Sequence, residues 1–252
     1  MNRGRKSLKT PGPIKATRAR PRASGKVPKV AQPKKLSQKA LQSLATQARI
    51  LDAAEHLFAR RGFYGVTLRD VAQASEADTA LLHYHFGDKQ RLFDEVFARR
   101  TRVLNEERIR CLDLYAEENA GALTVEGAIA AFLQPIFAHS RAGDPGWKNY
   151  FKLVAIANNT SEWGGETMTR FFDPVIERLI ELLRKALPEA AEADLYWCFE
   201  MFSGALTLLD AETGRIDRLS KGACQSGDVD AIEWRIINYT AAGFRSVAAQ
   251  TR

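Results

Sequence analysis

The 252-residue chain has three cysteines, no run of eighteen apolar residues, and no aspartate or glutamate among its first 45 residues. Each shortage excludes something. Cys111, Cys198 and Cys224 lie far apart and are odd in number. That argues against a disulfide framework and fits a reducing cytosol, with inert thiols as the expected state and a redox sensor as the alternative. The missing apolar run excludes a transmembrane helix of ordinary length, so no membrane partner is expected. The N-terminus has no apolar h-region, which argues against a secretory signal, and it has too many prolines for a good amphipathic transit helix. There is no Gly-rich phosphate loop, no nucleophile elbow and no metal-ligand spacing, so neither enzyme chemistry, a cofactor nor a metal is expected. Strand alternation and internal repeats are also missing, and the expected fold class is all-α.

What is present is divided unevenly. The net charge of +7 arises in one place: residues 1–45 hold thirteen Lys or Arg, while the remainder holds 24 basic and 30 acidic side chains, a net of −6. Five of the nine prolines also fall within 1–45. Such a segment cannot bury a core and reads as a disordered basic tail, joining the first helix only from about Ser37. Two roles stay open for it. It is either an arm that follows the phosphate backbone beside a binding site, or a solvated leader without a selected role.

Residues 46–97 carry the functional class. Ile50, Ala53, Ala54, Leu57 and Phe58 form one helix stripe between Thr46 and Arg61, and Gly62 stops it. Thr67 with Asp70 matches a capping box, so a second, short helix starts there with Leu68, Val71 and Ala72 inward and Arg69 outward. After the break Ala74-Ser75-Glu76-Ala77, Asp78 is an N-cap for a third helix, in which Leu81 is the expected core anchor. Two short helices joined by a tight turn form a helix-turn-helix, whose second helix enters the major groove. Thr79 suits a base edge or a phosphate, and Ala80 suits close approach to a thymine methyl group. Leu82, His83, Tyr84 and His85 are expected on or beside the outer face, and Lys89 in the first turn of the next helix can meet a phosphate. The expected DNA-contacting set is therefore Thr67, Arg69, Thr79, Ala80, Leu82, His83, Tyr84, His85 and Lys89, with the motif at about 69–88. His83 and His85 do not read as a metal pair, because side chains two apart on a helix diverge.

The run Arg49-Ile50-Leu51-Asp52-Ala53-Ala54-Glu55-His56-Leu57-Phe58, then Gly62-Phe63, Thr67-Leu68-Arg69-Asp70-Val71-Ala72 and Ala80-Leu81-Leu82-His83-Tyr84-His85-Phe86-Gly87-Asp88-Lys89, resembles the DNA-binding domain of TetR-family transcriptional regulators. Family members usually carry Gly in the turn where this chain has Glu76. A positive φ there would cost about 1 kcal/mol relative to Gly and would set a negative charge near DNA.

Residues 98–252 read as a larger helical domain. After a long helix from Asp88 to about Glu118, helices are expected near 124–141, 145–159, 163–187, 191–211 and 228–249, punctuated by Gly and Pro. The last two are apolar on two sides. Leu195, Cys198, Phe199, Phe202, Leu206 and Leu209 form one stripe, and Trp197, Met201, Gly204 and Leu208 a second. Val229, Ile232, Ile236 and Gly243, with Ile237, Ala241, Phe244 and Ala248 on another side, repeat the pattern. A helix apolar on two sides needs two partners. One can be its own domain and the other a second copy, giving a homodimer through the last two helices, as the resemblance also implies. Burial of both stripes within one subunit is the alternative. The aromatic-rich middle helices, with isolated polar groups, suit a small-molecule pocket, which the resemblance implies there; His139, Trp147, Phe151 and Asn158 are the candidate lining.

The expected protein is a dimeric repressor that binds a palindromic operator in double-stranded DNA and is released by a small-molecule effector. It is expected in the cytoplasm, at the nucleoid through its DNA. The alternatives are a similar regulator controlled by a protein partner, and a tail-driven DNA-coating protein.

Overall fold

The computed structural model describes residues 37–160 and 163–249, and among these the regular structure is helical throughout. Three helices form the N-terminal bundle: α1 (Gln38–Arg61), α2 (Leu68–Ala74) and α3 (Thr79–Phe86). Then follow α4 (Lys89–Glu118), α5 (Val125–Ala142), α6 (Pro145–Asn158), α7 (Gly164–Ala186), α8 (Glu192–Asp210), α9 (Arg215–Leu219) and α10 (Val229–Ala248). None of the described helices is long and apolar enough to cross a membrane.

The expected helices are all found, with ends displaced by a residue or two except at α1. That helix begins at Gln38, where the tail is expected to join it, so residues 38–45, placed with the tail by the expected domain boundary, are helical. The rest of the tail, residues 1–36, lies outside the described residues. The short α9 was not expected. It spans five residues, too few to show helical periodicity, and none of them is buried.

α4 organises the molecule. It packs against α1 of the N-terminal bundle and against α5, α6 and α7. Along it the aromatic core is continuous from Phe58 on α1 to Phe93 at 5.2 Å, on to Phe97 at 5.9 Å and to Tyr150 on α6 at 5.8 Å. The expected boundary between residues 97 and 98 is therefore not a gap in packing, because a single helix and one apolar column run through it. α6 also touches α1 directly.

At that junction Glu55, buried on α1, binds two arginines of α4. Arg99 Nη2 donates to it at 2.8 Å, and Arg100 Nε and Nη2 at 2.9 and 3.2 Å. Arg99 also reaches Asp52 at 2.7 Å, and Arg100 approaches Asp144, the N-cap of α6, at 3.6 Å. Gly146 leaves room beside them, since a Cβ there would overlap the Arg100 guanidinium and force it to shift. The two halves are thus tied by apolar packing and by a charge cluster that leaves no carboxylate of Glu55 unpaired.

Candidate nucleic-acid interface

The helix-turn-helix is built from short-range bonds. Thr67 Oγ1 accepts from Asp70 N at 3.1 Å, and an Asp70 carboxylate oxygen accepts from Thr67 N at 2.8 Å and from the Thr67 hydroxyl at 2.6 Å. The Thr67 bonds hold the Asp70 carboxyl below its ordinary range. Ser75, buried, donates its hydroxyl back to Val71 O at 2.7 Å and ends α2. Glu76 then takes φ 50°, the left-handed turn expected from the missing glycine. Asp78 caps α3 by accepting from Ala80 N at 2.8 Å, and Asp88 caps α4 by accepting from Arg91 N at 2.8 Å. Gly87, at φ 78°, makes the turn between α3 and α4.

These bonds present α3 with Ala80, His83 and Tyr84 exposed, Tyr84 at 81%, and Thr79 half-buried. Thr67 and Arg69 are exposed on the start of α2. The remaining expected contacts are placed differently. Leu82 is 0% exposed and Leu81 only half-buried, so Leu82, not Leu81, anchors α3, and Leu82 is removed from the DNA-contacting set. The cause is the rotation of this two-turn helix. Phe86 is also buried, and residues 82 and 86, four apart, share one inward face. Burial of Leu82 contributes about 2 kcal/mol to holding the helix.

His83, His85 and Lys89 are engaged with the protein. His83 Nδ1 donates to the Gly87 carbonyl at 2.7 Å, closing the C-terminus of α3 while its ring remains exposed. His85 is half-buried and its Nδ1 accepts from Gln47 Nε2 at 3.0 Å, a bond that fixes α3 against α1. Lys89 Nζ donates to Phe63 O at 3.2 Å and sits 4.3 Å over the Phe63 ring. Its charge remains at the N-terminus of α4, held by the loop before α2 rather than extended into solvent. Gln47 was not among the expected residues. Its role depends on a contact across 38 positions, which no local pattern announces.

The candidate effector residues are only partly brought together. His139 stacks on Trp147 at 3.6 Å and pairs with Glu107 at 2.7 Å, and Phe151 lies one turn along α6, 6.0 Å from Trp147. Trp147 and Phe151 are buried. Asn158 sits at the other end of α6, bonded to Thr207 on α8 at 2.9 Å. A different polar residue lies inside this domain: Arg108 of α4, 4% exposed. It occupies the inward stripe of Leu104, Arg108 and Leu112, and that interruption of an apolar row is a feature visible in the sequence.

Such a three-helix head, with an exposed α3 in front of a larger helical body, defines a sequence-reading transcriptional regulator. Residues 50–96 match the model of the bacterial regulatory proteins of the tetR family, and residues 130–243 that of a tetracyclin repressor-like C-terminal domain. The chain belongs to the TetR family of DNA-binding transcriptional regulators. It is 27% identical over 167 residues to the HTH-type transcriptional repressor Rv3405c of Mycobacterium tuberculosis, covering 53% of this chain and 88% of that one. The hemolysin II transcriptional regulator HlyIIR has the same fold, with a TM-score of 0.52 at 20% identity over 79% of this chain and 98% of that chain. So does a protein of Pseudomonas aeruginosa PAO1 solved as a candidate transcriptional regulator, with a TM-score of 0.55 at 16% identity over 81% and 91%.

Proposed function

We propose that the chain is a dimeric repressor that holds a palindromic operator and is released from it by a small molecule bound in the larger domain. The observation that carries the dimer is the unpartnered side of α8. Trp197, Met201 and Leu208 are 64%, 65% and 66% exposed and fall on one stripe with the exposed Gly204. On α10, Trp234 and Tyr239 are exposed near Gly243. Both expected apolar sides of α10 turn inward, with Ile236, Ala241, Phe244 and Ala248 buried and Val229, Ile232 and Ile237 packed against the core, so its outward face is formed instead by Trp234, Tyr239 and Gly243. Large exposed apolar side chains flanking small residues on two packed helices suit a second copy of the same surface around a twofold axis. That symmetry sets two α3 helices toward successive major grooves, about 34 Å apart.

The DNA-contacting set is then Thr67, Arg69, Thr79, Ala80, His83 and Tyr84, with His85 and Lys89 orienting α3 and the first turn of α4. Release works through α4, which is bonded to α1 at Glu55 and forms a wall of the larger domain. An effector drives release only by binding the two arrangements of α4 unequally. His139, Trp147 and Phe151 form an aromatic wall near that helix, and Asn158 links α6 to α8. The acid-free segment 1–36 adds sequence-independent phosphate attraction, and the protein acts at the nucleoid.

Footprinting of the purified dimer on the DNA upstream of its own gene tests the reading. A protected palindrome whose occupancy silences a reporter is the expected result. Failure to protect any palindrome at low salt overturns it. Deleting residues 1–36 is expected to weaken binding and flatten its salt dependence while sequence preference survives. Loss of all binding would instead favour DNA coating by the tail.

A further inference from the structure

Arg108 is a buried guanidinium that makes no ion pair among the described residues. Its Nε has no hydrogen-bond partner, and no carboxylate of the described residues lies within ion-pair distance of it. Its single polar contact is Nη1 to Asn105 Oδ1 at 3.5 Å, at the long limit for a hydrogen bond. The rest of its surroundings are ring faces: Phe132 at 4.3 Å and Phe172 at 5.9 Å. Rings compensate a cation only partly, and burial lowers its pKa to about 10, against the influence of Tyr150 and Asp210. Asp210, at the end of α8, is near enough to favour the charge but makes no hydrogen bond or ion pair with it. Tyr150 donates its hydroxyl to Thr101 at 3.0 Å. A fold seldom retains a buried charge in this condition for stability, because an apolar residue of similar size would serve better.

Between α4 and α7 runs a groove of about 890 Å³, lined by Thr101, Asn105, Ile109, Phe171, Pro174 and Val175 among others; Arg108 does not line it and is linked to it through Asn105. The charged residues along it balance, with Arg102, Arg110 and Arg170 against Glu106, Asp113 and Glu117. The uncompensated charge is therefore the one behind the wall. Asn105 stands between the two. It lines the groove, touches Arg108 with its amide oxygen, and donates its Nδ2 to the Phe171 carbonyl of α7 at 2.6 Å.

We propose that Arg108 is the seat of a carboxylate whose apolar or aromatic body lies in the α4–α7 groove. This rests on the effector reading above and names the chemical class of the effector. The carboxylate takes the place of the Asn105 amide oxygen and gives Arg108 the two parallel acceptors that a guanidinium fork prefers. Asn105 must then turn, which breaks its bond to Phe171 and loosens α4 from α7. The ligand thus acts on the helix that carries Arg99 and Arg100 to Glu55.

The test uses octanoate, dodecanoate and naphthoate, each beside its methyl ester, with thermal melting and operator release as separate readouts on the full-length dimer. The acids are expected to raise the melting temperature of the wild type and the esters to leave it unchanged. Arg108→Met is expected to melt at or above the ligand-free wild type and to lose the response to acids; Arg108→Lys, which keeps the charge without the fork, is expected to bind them about tenfold more weakly. Esters that act as well as acids, a panel of acids without effect, an Arg108→Met dimer that melts lower than the wild type, or an Arg108→Lys dimer with the full response would each overturn the proposal. Acids that stabilise the wild type through Arg108 without releasing DNA would uphold this seat and sink the effector reading. Release by the esters, unchanged in Arg108→Met, would do the reverse.

Discussion

The DNA-reading head and the larger domain solve the same problem, the satisfaction of polar groups, over different distances along the chain. In the head, Thr67 bonds Asp70, Ser75 bonds Val71, His83 bonds Gly87 and Asp88 bonds Arg91, all within four residues. At the junction and in the body the partners are Glu55 with Arg100, Tyr150 with Thr101 and Asn105 with Phe171, separated by 45, 49 and 66 positions. Local bonds shape the turns and ends of the head's helices, and one longer bond, Gln47 to His85, sets α3 against α1. Long-range bonds make the body a set of helices whose positions depend on one another, which is where the proposed effector would act.

The comparison is broken most severely on the surface of α3. Ala80→Asp sets an anion against the groove and is expected to lower specific affinity by about 3 kcal/mol or more, roughly a hundredfold, with the fold unchanged. Fluorescence anisotropy with operator DNA, beside a thermal melt, measures both. Unchanged affinity would mean that α3 reads DNA with another face. Next comes the body. Glu55→Ala leaves two partly buried guanidinium groups without their shared carboxylate, and about 3 kcal/mol of stability is expected to be lost in a denaturant titration. A loss no larger than that of an exposed pair would show that solvent already compensates the cluster.

The dimer face follows. Trp197→Glu on α8 is expected to weaken self-association by about 2 kcal/mol or more, visible in sedimentation velocity at micromolar concentration, and to weaken operator binding with it. A dimer of unchanged strength would move the interface elsewhere. The smallest effect lies in the turn. Glu76→Gly relieves a positive φ and is expected to stabilise the head by about 1 kcal/mol at most, less what glycine adds to the freedom of the unfolded chain. It also removes a negative charge beside α3, so operator affinity should rise modestly at low salt and converge with the wild type at high salt. A fall in stability would show that the Glu76 side chain makes a compensating contact.

Much of the head was legible in the sequence, and for a physical reason. Capping boxes and N-caps act on backbone groups two to four positions away, so Thr67, Asp78 and Asp88 declare their roles in the linear text. The error at Leu81 and Leu82 shows the limit. On a helix of two turns, one residue of rotation exchanges inside for outside, and only the packing of Phe86 and Leu82 against their neighbours decides it. α1 was read short for a related reason: residues 38–45 carry no strong apolar period, and Leu41 and Leu44 are half exposed in the fold.

By itself, then, the sequence determined the all-helical class, the caps and turns that shape the DNA-reading head, and the positions of nine of the ten helices among the described residues, because these follow from short-range hydrogen bonds and apolar periodicity. Tertiary structure alone decided which side of α3 is buried, that Glu55 joins the head to α4, which side of α10 is left outside, and that Arg108 is enclosed without an ion pair among the described residues. Each of these depends on what residues distant in the chain bring to the same place, and on the cost of leaving charge or apolar surface without a partner once they arrive.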